Sequence, residues 1–294
     1  QLRRELGPRW RDVRAIGLAS QAGSAMLVHR ETGVAQTPLV LWNDSRAIAD
    51  AAQIQLRKPP SFWRTHVGNP IAPAGLGRLA QFQAKQPELF TSDYLHTGAG
   101  EYLFFHLAGH WRQDAGHAAQ ATGYNASRGQ IPVAVLSLLG LSPTFFAPLR
   151  RDHETAPLSA SAAKTLGLPE GLPVAGPYFD QEASYLATTG QMERPLQCSL
   201  GTAWVGNFRL PAGVRAASPF CIRVPSPIED GLLMVLPLFA GNAAWDWALQ
   251  TFVCKNIQTA FKKASTLFEQ SLLPCNGLVA RPWLTQPNPF PPHQ

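Results

Sequence analysis

Cysteine is scarce. Cys198, Cys221, Cys254 and Cys275 lie far apart, with no CxxC pair. That excludes zinc-finger spacing and a disulfide framework, and points to reduced thiols. Charge is thin too, with Asp, Glu, Lys and Arg making up 15% of 294 residues. The net excess is basic, +6, yet the basic residues cluster no further than the pairs Arg3-Arg4, Arg150-Arg151 and Lys262-Lys263. Without a polybasic run interleaved with aromatics, a nucleic-acid partner is not expected. No apolar stretch reaches the roughly 20 residues of a membrane span. Residues 1–14 are polar rather than a secretion signal, so a cytoplasmic location is expected and a membrane partner is not. The P-loop pattern, the dinucleotide fingerprint and the GxSxG elbow are all missing. His106 and His110 stand four apart and could share a helix face, but no third ligand accompanies them and no metal site is expected.

What the chain does have is 45% hydrophobic residues, 26 prolines and 24 glycines. This composition fits a turn-rich α/β protein, and its length is enough for two domains. Residues 13–18, 25–29 and 38–42 read as short strands. The third delivers Asn43, Asp44, Ser45 and Arg46 into a loop before a helix over 47–56. Residues 59–73 read as irregular. Leu76, Leu79 and Phe82 have helical spacing, and residues 100–109 form an apolar helix ending at a glycine. Residues 131–139 and 159–168 also read as helical. A domain boundary is expected near 170, giving domains 1–170 and 171–294. Beyond it, residues 172–186 (LPVAGPYFDQEASYL) run from an extended segment through Gly-Pro to an acidic residue that opens a helix. Two strands then flank Gly201-Thr202, followed by strands near 220–224 and 232–238 and helices over 241–251 and 256–273.

Three groups could carry chemistry. Asp180 ends an apolar strand, where desolvation raises basicity, and begins a helix, whose dipole favours the anion. Capping that helix is the other use of aspartate, and the local pattern by itself favours the cap while leaving the base open. Gly201 and Thr202 form a tight turn whose backbone N–H groups and hydroxyl could cradle phosphate oxygens, or an ordinary hairpin. Asp44 and Arg46 could hydrogen-bond polyol hydroxyls, or cap and decorate a helix.

Taken in order, these segments resemble the FGGY carbohydrate kinases. Residues 16–21 (IGLASQ) are similar to that family's IGISGQ segment, and residues 38–46 (PLVLWNDSR) to its P-x-x-x-W-x-D-x-R segment. Residues 166–180 (LGLPEGLPVAGPYFD) resemble the LGLPxGTPVxxGxxD stretch. Ser199-Leu200-Gly201-Thr202 matches the GT phosphate loop, and residues 277–284 resemble GLxFLPYL. The resemblance implies an actin-like, ribonuclease H-like α/β fold of two domains with a cleft. It implies ATP and Mg²⁺ as cofactors and a sugar or polyol as substrate, with a homodimer left open. Asp180 would be the general base. Gln21, Ala22, Asp44, Arg46 and Gln181 would face the substrate, and Gly201 and Thr202 the phosphates. The family's D-x-G-[TS] loop is expected upstream of Gln1 and its adenine site downstream of Gln294, so both domains are expected to be incomplete here. Ala22-Gly23 stand where the family places large contact residues, and Tyr178-Phe179 where it places Gly-Gly. These departures leave a catalytically impaired sugar-binding or regulatory relative as the alternative.

Overall fold

The structure is a computed structural model. It describes residues 1–188, 195–201, 203–214, 221–238 and 241–270. The chain gathers into two compact units, one of residues Gln1–Pro195 and Phe208–Met234, the other of Leu196–Asn207 and the chain from Val235 onward.

In chain order the first unit contains α1 (Leu2–Leu6), β1 (Ile16–Ser20), β2 (Met26–His29), α2 (Ile48–Leu56), α3 (Pro60–Val67), α4 (Gly75–Lys85), β3 (Tyr94–Thr97), α5 (Ala99–Ala108), α6 (Ala115–Thr122), α7 (Val133–Leu136), β4 (Thr155–Pro157), α8 (Ala160–Leu166), β5 (Pro173–Phe179) and α9 (Asp180–Thr188). After these come β6 (Gln197–Leu200), β7 (Trp204–Pro211), β8 (Ile222–Pro225), β9 (Gly231–Leu238), α10 (Gly241–Phe252) and α11 (Ile257–Gln270). Three sheets result, in the orders β1-β5-β4, β2-β3 and β6-β7-β9-β8.

The first of these sheets organises the first unit. β1 and β5 pair in parallel although they lie far apart in sequence, with Ile16 opposite Val174 and Ser20 opposite Phe179. The register shifts between Gly17 and Ala19. Gly176 occupies the shift at φ 111°, and a Cβ there would lie 2.5 Å from the Leu18 carbonyl oxygen. Only glycine fits that bulge, which redirects the last residues of β5. One core lies around Trp63, Leu76, Leu79, Leu27 and Ile54. A second joins Phe104, Leu158, Leu168 and Val174, sealing α5 and α8 onto the sheet. In the second unit, Leu249, Ala260 and Ala264 pack α10 against α11.

Several expectations shift in detail. Residues 59–73 are not wholly irregular, since Pro60–Val67 form a helix that buries Trp63. Pro60 suits the first helical position and Gly68, at φ 81°, stops the helix, so two apparent breakers are a start and a stop. The strand expected over 38–42 is reduced to one bridge, Val40 with Ala25. Pro38 has no N–H to give a ladder, and Leu39 and Leu41 are exposed. Residues 131–139 split into α7 and a 3₁₀ turn. The expected segment 277–284 lies outside the described residues. Among the described residues no helix is long and apolar enough to cross a membrane.

Candidate active site

Asp180 stands where β5 becomes α9. Its Oδ1 accepts from the backbone N–H of Gln181 at 3.0 Å. The carboxylate therefore tethers the first turn while remaining half-buried. Desolvation pushes its pKa above the ordinary value, and the hydrogen bonds from Gln181 and its own backbone N–H oppose that rise. Because Ser20 lies opposite Phe179 in a parallel pair, the next residues, Gln21 and Asp180, leave the same sheet edge side by side. Ligands of open α/β sheets gather at such carboxyl ends. The packing around this edge is tight. A Cβ at Gly116 of α6 would lie 2.5 Å from the Phe179 ring, and one at Gly100 of α5 would lie 3.1 Å from Pro177.

The loop after β1 is closed rather than reaching. Ala22 is buried. Gly23, at φ 78°, has Trp42 Cβ 3.4 Å from where its own Cβ would stand, and the Gln120 amide is nearer still. Arg78 of α4 donates to the Gly23 carbonyl at 2.9 Å and to the Trp42 carbonyl. One buried guanidinium thus joins the loop carrying Gln21 and Ala22 to the loop carrying Asp44 and Arg46. Arg46 grips Asp44 with two bonds from Nε at 2.9 Å and one from Nη2 at 2.5 Å. This pairing holds the Asp44 carboxyl down at about 2. Arg46 is largely exposed, at 70% of its side chain, so it is available to a polar ligand.

Gly201 follows β6 in the second unit. Strands β6 and β7 pair antiparallel from Gln197 opposite Asn207 to Leu200 opposite Trp204, as expected of two strands around a tight turn. Among the described residues, a Cβ at Gly201 would meet only the Ala203 carbonyl, at 3.9 Å. A backbone this uncrowded among the described residues is compatible with a phosphate oxygen approaching Gly201. Thr202 lies outside the described residues. Among the described residues no group of three or more His, Cys, Asp or Glu side chains could hold a metal ion, and His106 and His110 gather no further ligand. Mg²⁺ commonly uses one or two carboxylates along with phosphates and water, which asks for no such cage.

Several residues were not foreseen. Arg78 lies within a helix read only for Leu76, Leu79 and Phe82, and nothing in the sequence marks its two carbonyl partners. Asp114 caps α6, its Oδ1 accepting from the His117 N–H at 2.8 Å, and the D-x-x-H pattern could have signalled this. Glu101, Asp114, His117 and His96 are all buried together. Glu101 Oε2 lies 3.8 Å from His117 Nδ1, and the two imidazoles stack at 5.6 Å. Burial lifts the Glu101 and Asp114 carboxyls to about 7 and depresses His117 to about 4. Arg150, His153, Glu182 and Tyr124 line a cleft of about 660 Å³ with the 224–230 segment. Glu182 is two residues past Asp180, and on a helix such side chains do not face each other.

Comparison with known proteins agrees with this architecture. The chain is 26% identical over 267 residues to xylulose kinase of Escherichia coli K12, covering 88% of this chain and 53% of that protein. The chain thus spans about half the length of that curated relative. Among solved structures, xylulose kinase from Rhodospirillum rubrum superposes with a TM-score of 0.77 at 19% identity, over 93% of this chain and 56% of the other. Plasmodium falciparum glycerol kinase with ADP gives 0.70 at 14% identity, over 88% and 52%. These likenesses place the chain in the actin-like ATPase fold. The description "FGGY family of carbohydrate kinases, N-terminal domain" matches residues 2–187, the stretch that holds Gln21, Asp44, Arg46 and Asp180, and the chain belongs to that family.

Proposed function

We propose that the protein moves the γ-phosphoryl group of ATP to a hydroxyl of a sugar or polyol, with Asp180 as the general base. The observation that carries this reading is the parallel register of β1 and β5, which leaves Gln21 and a half-buried Asp180 on one sheet edge. Asp180 takes the hydroxyl proton as the acceptor oxygen bonds to the γ-phosphorus and the bridging oxygen leaves with ADP. ATP bound with Mg²⁺ supplies the phosphoryl group and a metal charge that neutralises its oxygens. Gln21, Gln181, Asp44 and Arg46 orient the acceptor, and the open backbone at Gly201 receives a phosphate. The base contributes roughly 10²- to 10⁴-fold.

The test is sugar-stimulated ADP release from the intact protein across a panel of sugars and polyols, repeated with Asp180→Asn. We expect the variant to bind the cognate acceptor and lose about 10²-fold or more of turnover. Turnover at the parent rate would remove Asp180 from the chemistry. One observation favours a second reading, a sugar-binding or regulatory relative: the buried Ala22 and the closed Gly23 offer an acceptor no long side chain. Acceptor binding with no stimulated ADP release from the parent would select that reading.

A further inference from the structure

Resting on the reading of Asp180 as the base, we propose that Arg150 is its positioning residue, a clamp that closes on the two positions flanking it. Tyr178 lies two residues before Asp180 and Glu182 two residues after. The Arg150 guanidinium stacks over the Tyr178 ring at 4.0 Å from its centroid. The same guanidinium donates from Nη2 to Glu182 Oε1 at 2.6 Å. The two charged side chains are only 7% and 8% exposed. One cation therefore holds the last turn of β5 and the first turn of α9 at once, and Asp180 is the hinge between them.

The clamp is itself anchored. Arg150 Nη1 donates to the Asp152 carbonyl at 2.5 Å, and the Arg150 N–H to the Gln113 carbonyl at 2.7 Å. Gln113 precedes Asp114, the cap of α6, and α6 presses Gly116 against Phe179. His153 bonds the Tyr178 hydroxyl through Nδ1 at 3.0 Å and faces the Pro227 carbonyl through Nε2 at 2.6 Å. Residues 178, 179 and 182 are thus fixed from outside, while the Asp180 carboxylate keeps the Gln181 N–H as its bonded neighbour.

A buried ion pair is weak evidence for stability, because well-packed apolar residues often replace one at no loss. Its use here is better matched to registry. Arg suits the task because its planar fork can stack and pair together, which a lysine cannot do. A misplacement of about 1 Å can cost on the order of 10²-fold in rate.

The discriminating variant is Arg150→Met with Glu182→Met in the intact protein, which removes both charges together. We expect a thermal midpoint near that of the parent, kcat lower by on the order of 10²-fold and acceptor KM within a few-fold. Glu182→Gln, which keeps an acceptor oxygen for Arg150, should lose less than Glu182→Met. Hydrogen exchange of the 181–185 amides should quicken in the double variant. A folded double variant with parental kcat, or unchanged exchange at 181–185, overturns the clamp. Failure of the kinase reading shows separately, as a parent with no acceptor-stimulated ADP release or an Asp180→Asn variant with parental turnover, and the exchange measurement then judges the clamp alone.

Discussion

Glu101→Gln should change how stability depends on pH, and the structure fixes both the sign and the window. Glu101 is 1% exposed at the start of α5, where its Oε2 accepts from the Gly98 N–H at 3.0 Å. A glutamine keeps that acceptor, since the position tolerates either residue. What it removes is ionisation. Burial lifts the Glu101 carboxyl from its ordinary 4.5 to about 7, and the buried Asp114 rises with it, partly through repulsion from Glu101. The folded protein thus holds a proton that the unfolded chain has released. This raised pKa contributes stability that is full below about 4.5 and is lost as pH climbs through about 7. His117 acts oppositely. Lowered from 6.5 to about 4, it gives stability present above 6.5 and lost as pH falls through 4. The parent curve mixes these slopes, and the difference between variant and parent reports Glu101 together with the repulsion it exerts on Asp114. Unfolding free energies from urea melts at pH 5 to 8 should show the variant gaining on the parent as pH rises, by on the order of 3 kcal/mol, before levelling above 7. In a unit of this size that is roughly 6–12 °C in thermal midpoint. A difference that stays flat from pH 5 to 8 would refute the reasoning, because Glu101 would then ionise as easily folded as unfolded.

Three further outcomes follow from the site. Gly116→Ala should destabilise by about 1–3 kcal/mol from crowding Phe179, less up to about 1 kcal/mol from better helix propensity; a chemical melt showing a more stable variant would contradict the close approach. Arg46→Ala should leave the thermal midpoint unchanged, because the pair with Asp44 is at the surface, while raising acceptor KM in the ADP-release assay. The acid limb of kcat should turn at a pH above the ordinary aspartate value of about 3.9, because burial raises Asp180. The same limb should vanish in Asp180→Asn.

The elements that frame the site were legible where the code is local. The strand that ends at Asp180, the helix that begins there and the turn at Gly201 all follow from apolar runs broken by Gly, Pro and Asp. The pairing of β1 with β5 was not local. Nothing in the two segments says that they meet, and only their order within a family pattern brought them together. Residues 59–73 were misread because Pro and Gly punctuate both loops and helices, and the choice was decided by Trp63, whose burial repays an ordered turn. Arg78, Arg150 and the Glu101–Asp114–His117 group were illegible for a common reason. Their partners are backbone carbonyls or side chains on elements distant in sequence, and helical periodicity names a face without naming what lies against it.

The Ala22-Gly23 departure can be placed on the same physical footing. Gly23 stands at positive φ, where a Cβ would run into the Gln120 amide and against Trp42, and its carbonyl is held by Arg78. A large residue at 23 would be strained in backbone and would strike α6. The loop is therefore built closed. Asp44 and Arg46 hang from the same guanidinium through the Trp42 carbonyl. Arg78 thus ties the loop of Gln21 and Ala22 to the loop of Asp44 and the exposed Arg46, and on the proposed function acceptor recognition would rest on Asp44 and Arg46 rather than on the residues after Gln21. On this arrangement, loss of Arg78 would weaken acceptor binding without touching a single group that contacts the acceptor.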